Sequence, residues 1–208
     1  MSTSGVWVVV ALEGQDVTRL TSRFCAALAA HSSDPEVRER WQRWADAPEL
    51  VTGYRPESPN SLHQVLDEAS LSFLELDDIP IAQAGSLIHD CWNSASQQVD
   101  PACITARKAG PVLALFHGLG PERAAKIPGW CGNFLPTPAE CQAALADIET
   151  ILAPSQPQWS QTLARINFWL TEVGNAHRDA DQMTSKVLEC WRAAAAKGLG
   201  LCGTTDMV

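Results

Sequence analysis

The densest group of ionisable side chains in the chain is Glu172, His177, Asp179 and Asp181. His177 and Asp181 stand four residues apart, the spacing at which two side chains share one face of a helix. A carboxylate beside an imidazole orients the ring and stabilises its protonated form, which is how a general base is held. His177 and Asp181 are therefore the candidate catalytic pair. His177 also follows Val173 by four and faces the core side if the helix is unbroken. If Gly174-Asn175 breaks the helix, His177 is a loop residue. A core histidine with one satisfied hydrogen bond is the plainer reading of the same residues.

A second candidate lies at Leu113-Ala-Leu-Phe-His-Gly-Leu-Gly-Pro-Glu-Arg-Ala-Ala-Lys-Ile127. Gly118, Leu119, Gly120 and Ala124 resemble the turn of a helix-hairpin-helix, whose backbone amides hold a phosphate of nucleic acid. Arg123 and Lys126 place positive charge nearby. The structural alternative is a simple turn between two helices. A third candidate is Trp41 with Trp44, two large rings on a segment otherwise rich in charge. Rings in such a place either close a core edge or anchor a partner.

Other patterns fail the test of context. Gly198-Leu-Gly-Leu-Cys-Gly203 matches a dinucleotide-binding fingerprint in letters. That site needs a strand before it and a helix after it, and here a helix precedes it and five residues follow. These glycines read as the cap of the last helix and the start of the tail. Zinc needs three or four nitrogen or sulfur ligands with at least one close pair. His89 and Cys91 are two apart and point to different helix faces, so no metal site is expected. No cofactor is expected either. The acidic residues Asp67, Glu68, Glu75, Asp77 and Asp78 read as a solvated face.

Composition narrows the function classes. The chain has 208 residues, 46% hydrophobic and 19% charged, which suits a packed core and excludes a disordered or low-complexity chain. Lys and Arg total 15 against 24 Asp and Glu, a net charge of -9. Such a surface repels phosphate backbones and anionic lipid, so nucleic acid and membrane are disfavoured as partners. Residues 6–12 are too short and lack the basic start of a secretory signal. A cytoplasmic location is expected, with the seven cysteines as reduced thiols, mostly buried. No Cys-x-x-Cys occurs, so no redox pair is read from spacing.

The elements that must position these candidates follow from pattern and punctuation. Val6 to Leu12 is β-branched, lies between Gly5 and Gly14, and predicts one buried strand. Asp16 or Thr18 caps a helix to about residue 31. Asp34-Pro35 starts another, with Val37, Trp41 and Trp44 on one face and Pro48 at its end. Residues 51–60 are a loop. Helices are predicted over 61–76 and roughly 80–97, the latter with Ile81, Ala84, Ile88 and Trp92 inward. Asp100-Pro101 predicts a helix bent near Gly110-Pro111. Thr137-Pro-Ala-Glu140 is a capping box leading a helix to about residue 152. Apolar spacing predicts helices over residues 159–196, split near Gly174-Asn175, and the tail from Leu199 reads as a short strand.

The order of these segments resembles the YfbM-like family of small bacterial proteins. Leu66-Asp67 through Leu71 and Phe73-Leu74 is similar to that family's Leu-Asp segment. Gly132-Asn-Phe-Leu-Pro-Thr-Pro-Ala-Glu140 is similar to its helix start, and Val187 to Thr205 to its closing helix and strand. The helix over 34–46 is an addition. The resemblance implies a compact α+β domain and carries over no catalytic residues.

The sequence thus predicts one globular domain over 1–208, predominantly α-helical, with a small β component from the N-terminal strand and the tail. The expected function is a non-catalytic acidic protein-binding module of the cytosol, docking a protein partner through Trp41 and Trp44. The alternatives are a small-molecule enzyme using His177 and Asp181 in an apolar, tryptophan-lined pocket, and phosphate or nucleic-acid binding at Gly118 and Gly120.

Overall fold

A computed structural model describes residues 4–48, 73, 76, 84–107, 110–152, 157–173 and 179–207. Its organising element is β1 (Ser4–Leu12), the central strand of a three-stranded antiparallel sheet. β2 (Ala102–Arg107) flanks it on one side and β3 (Gly200–Met207) on the other. The register pairs Val8 with Cys103 on one edge and with Thr204 on the other. The first and last strands are therefore neighbours.

β1 is apolar at every position from Val6 to Leu12 because both of its faces are covered. Trp7, Val9 and Ala11 point into the larger core cluster. Val8, Val10 and Leu12 point into the smaller one. The smaller cluster is closed by α1 (Gly14–Ser32) through Val17, Leu20 and Phe24, and by α3 (Ala84–Asn93) through Leu87 and Cys91. The larger cluster is built by α2 (Pro35–Asp46), α4 (Pro111–Leu119), the short α5 (Pro121–Ala124), α6 (Pro138–Ile151), α7 (Trp159–Phe168) and α8 (Ala180–Lys197). A π-helical turn, Trp169–Val173, extends α7. The predominantly helical α+β architecture is as the sequence predicts.

Several starts and stops follow the local signals. Asp34 accepts the Glu36 amide at 2.8 Å and Pro35 opens α2. Thr137 and Glu140 form both halves of the capping box. Gly198 adopts φ 66° as the cap of α8, a left-handed conformation that costs glycine little. β3 then begins at Gly200.

Three expectations are corrected. The segment after Asp100-Pro101 is the strand β2 rather than a helix. Ala102, Ile104 and Ala106 are buried while Cys103 between them is exposed, a period of two that edge pairing with β1 rewards. The inward face of α3 is Leu87 and Cys91, whereas Trp92 is 44% exposed. The helix is turned by about one residue because it packs on the sheet face. α1 starts at Gly14, before both expected caps, and the Thr18 hydroxyl donates back to the Gly14 carbonyl at 2.9 Å. The helix expected over 61–76 falls largely outside the described residues.

Candidate functional site

α4 is buried along its whole length, and it carries His117 into the larger core. Pro111 fits the first turn of a helix, where no amide partner is lost. Gly118 lets α4 approach α7 closely. A Cβ there would overlap Ile166 Cγ1 and press on the Thr162 carbonyl at 2.9 Å. This crossing sets His117 beside Trp169, with ring centroids 5.3 Å apart.

His117 is 0% exposed, and among the described residues neither of its ring nitrogens has a hydrogen-bond partner. Burial, reinforced by the nearby Arg165 guanidinium, pushes its pKa down to about 4, so the ring is neutral at pH 7. A neutral imidazole offers one N–H and one acceptor nitrogen. Buried polar groups are ordinarily satisfied. Trp130 Nε1, Trp159 Nε1 and Thr204 Oγ1, like the His117 ring, have no partner among the described residues, whereas some others here are paired. Trp7 Nε1 donates to the Gly132 carbonyl at 3.0 Å, and buried Asn133 Oδ1 accepts the Thr205 amide at 3.0 Å.

The unsatisfied groups around His117 are mostly donors. The indole N–H of Trp169 and that of Trp44 are buried without acceptors. Phe73 lies between these two rings, 5.2 Å from Trp169 and 4.7 Å from Trp44. Arg123 leads out of the α4–α5 turn. It donates from Nε to the Leu119 carbonyl at 2.9 Å and from Nη2 to the Thr162 hydroxyl at 2.7 Å, while Nη1 is buried and unpartnered. Arg165, on α7, reaches the Pro48 carbonyl with Nη2 at 3.5 Å and leaves Nε unpartnered. Burial, then repulsion from Arg165, holds the Arg123 pKa below its usual value. Neither guanidinium meets a carboxylate among the described residues. Among the described residues, Arg123 Nη1, Arg165 Nε and the indole N–H groups of Trp44 and Trp169 are thus buried donors without acceptors.

The sequence-derived candidates are placed as follows. Trp44 is 2% exposed and stacks on Phe73 and Phe116. Trp41 is half-buried, against Trp44, Phe116 and Trp130. Both rings are parts of one aromatic assembly. Gly118 is interior to a helix, and the Gly120 amide is spent on the Phe116 carbonyl at 2.8 Å. The Gly118–Gly120 segment thus lacks the open amide cradle a phosphate needs, although Gly120 does turn the chain at φ 78°. Asp181 is exposed on the first turn of α8, where the Asp179 carboxylate accepts its amide at 2.9 Å. It borders a cleft of about 110 Å³ with Trp159, Thr184 and Arg192. His177 lies outside the described residues. No group of three metal-ligating side chains occurs among the described residues, and no described helix is long and apolar enough to cross a membrane.

His117 went unnoticed as a site residue in the sequence. Its position between Phe116 and Gly118 in an apolar run was the available signal, since an ionisable side chain on a helix that is apolar all round must be buried.

Comparison with protein-family models, with curated proteins and with solved structures finds no match for this chain.

Proposed function

We propose that the protein binds a small organic anion, a carboxylate or phosphate-bearing molecule, in the tryptophan-walled region around His117. The observation that supports this most is the fully buried imidazole with both nitrogens unpaired among the described residues, packed on Trp169 and under the charge of Arg165, which also repels Arg123. Each buried donor left unmade costs about 1–3 kcal/mol. An acceptor-rich ligand offsets several of these costs at once, and its negative charge relieves the repulsion between Arg123 and Arg165. The reading keeps the small-molecule alternative from the sequence but moves it from His177 to His117. It assigns binding rather than catalysis, since no carboxylate is paired with His117 among the described residues.

The protein-docking reading is supported at these rings only by the partial exposure of Trp41. Kinship with the YfbM-like family and a cytoplasmic site of action belong to the same proposal. The first rests on the order of strand, helices and capping box, the second on composition.

Thermal unfolding and tryptophan fluorescence with benzoate, inorganic phosphate and neutral benzyl alcohol test the reading. Benzoate or phosphate at about 100 times its Kd should stabilise the fold by ~2.7 kcal/mol, raising Tm by roughly 5–10 °C. Arg165→Gln should remove the effect while the protein still folds. Equal stabilisation by benzyl alcohol, or no response to any probe, overturns the proposal.

A further inference from the structure

The smaller core cluster contains two thiols that no sequence spacing connects. Cys91 on α3 and Cys202 on β3 are separated by 111 residues, both are 0% exposed, and their sulfurs lie 2.9 Å apart. The Cys202 S–H donates to Cys91 Sγ, which stabilises the Cys91 thiolate and draws its pKa down. The same bond and deep burial push the Cys202 pKa up. Burial and the adjacent Asp90 carboxylate oppose the lowering at Cys91, and Arg23 and Arg19 assist it. One sulfur is thus disposed to be the nucleophile and the other to keep its proton.

Two other buried thiols differ. Cys141 and Cys190 direct their S–H groups to the carbonyls of Pro136 and Asp100, at 3.8 Å and 3.3 Å. Burial raises their pKa values to about 12 and about 11, leaving them inert.

We propose that Cys91 and Cys202 form a reversible dithiol–disulfide couple, oxidised by a small peroxide, that fastens α3 to β3. Bond formation needs the sulfurs to approach by about 0.9 Å from their 2.9 Å separation. The Cys91 thiolate attacks one oxygen of hydrogen peroxide, giving a sulfenic acid and hydroxide. The Cys202 thiol then attacks the sulfenic sulfur, its proton leaves with the departing hydroxyl as water, and the S–S bond forms. In sum, two thiols and one peroxide give one disulfide and two waters. A dithiol reverses the step by exchange. Cytosolic disulfides are commonly transient and redox-sensing, so the couple is compatible with a reducing compartment. It is independent of the anion site, which lies in the other core cluster.

The full chain treated with one equivalent of hydrogen peroxide is the test. The expected result is a mass lower by about 2 Da and a denatured thiol count falling from seven to five. A cross-linked peptide pair should contain Cys91 and Cys202. Oxidation should raise Tm by roughly 5–15 °C, because the crosslink closes a long loop, and dithiothreitol should restore the starting value. Cys202→Ser should abolish the 2 Da loss. If that variant does not fold, peptide mapping of the unaltered chain decides the question. Oxygen adducts on exposed Cys25 or Cys103 with Cys91 and Cys202 still reduced, or a crosslink between another pair, overturn the proposal.

Discussion

His117 shows how burial alone can turn an ordinary titratable residue into a pH-dependent weight on stability. The unfolded chain binds a proton on this ring below about pH 6.5. The folded chain does so only near pH 4. The stabilising difference is therefore fully present above pH 6.5 and is lost as pH falls toward 4, where the unfolded state binds more protons. At pH 5 the loss amounts to about 2 kcal/mol. His31, beside Trp130, acts in the same direction, since burial lowers its pKa to about 4 against the opposing pull of Asp34. His117→Phe keeps an aromatic ring against Trp169 and removes the titration. The fall in Tm between pH 7 and pH 5 should be smaller in this variant by roughly 4–8 °C. An unchanged fall would mean that the ring is protonated or partnered in the native state. The same scale bears on Trp41 and Trp44, whose two readings from the sequence are a core edge and a partner anchor. Their neighbours along the chain are charged, but their neighbours in space are Phe73, Phe116 and Trp130.

At the scale of elements, the contact between α4 and α7 is the feature most sensitive to small changes. Gly118 is needed for closeness and not for a turn. Gly118→Ala should cost about 1–3 kcal/mol by overpacking against Ile166. Chemical denaturation will show this as a lower midpoint with an unchanged slope. A neutral result would mean that α7 can shift to accept the methyl group. The π-helical turn after Phe168 adds one residue to the helical turn and swings Trp169 toward His117 and Phe73. Local signals were reliable where the determinant was local. The Asp34 and Thr137 caps are hydrogen bonds within three residues, so spacing alone gave their positions. They were unreliable at Asp100-Pro101, where the same Asp-Pro letters precede a strand. There the alternating burial of Ala102, Ile104 and Ala106 against β1 outweighed the helix-start signal.

For the molecule as a whole, β1 is the hub. It is flanked by strands on both edges and covered by a core cluster on both faces. The tail that forms β3 also carries Leu201 into one cluster and Cys202 into the other. Removal of residues 200–208 should therefore expose a long apolar edge and uncouple the two clusters. The expected outcome is loss of cooperative unfolding by circular dichroism, with aggregation on size-exclusion chromatography. A truncated chain that remains monomeric and melts in one sharp transition would show that β1 is held by its helices instead.

The sequence by itself determined the helical bulk, the buried first strand, the closing strand and the capped helix starts, because periodicity and capping act over one or two turns. It also set the acidic balance of the surface. Only the tertiary structure decided which residues meet. It buried Trp44, sent the Gly118 contact into a helix crossing, and gave His117 an environment of unmatched donors. It also brought Cys91 against Cys202 across 111 residues of chain. Such meetings depend on long-range packing between elements, and contacts of that kind leave no period or spacing in a single chain from which to read them.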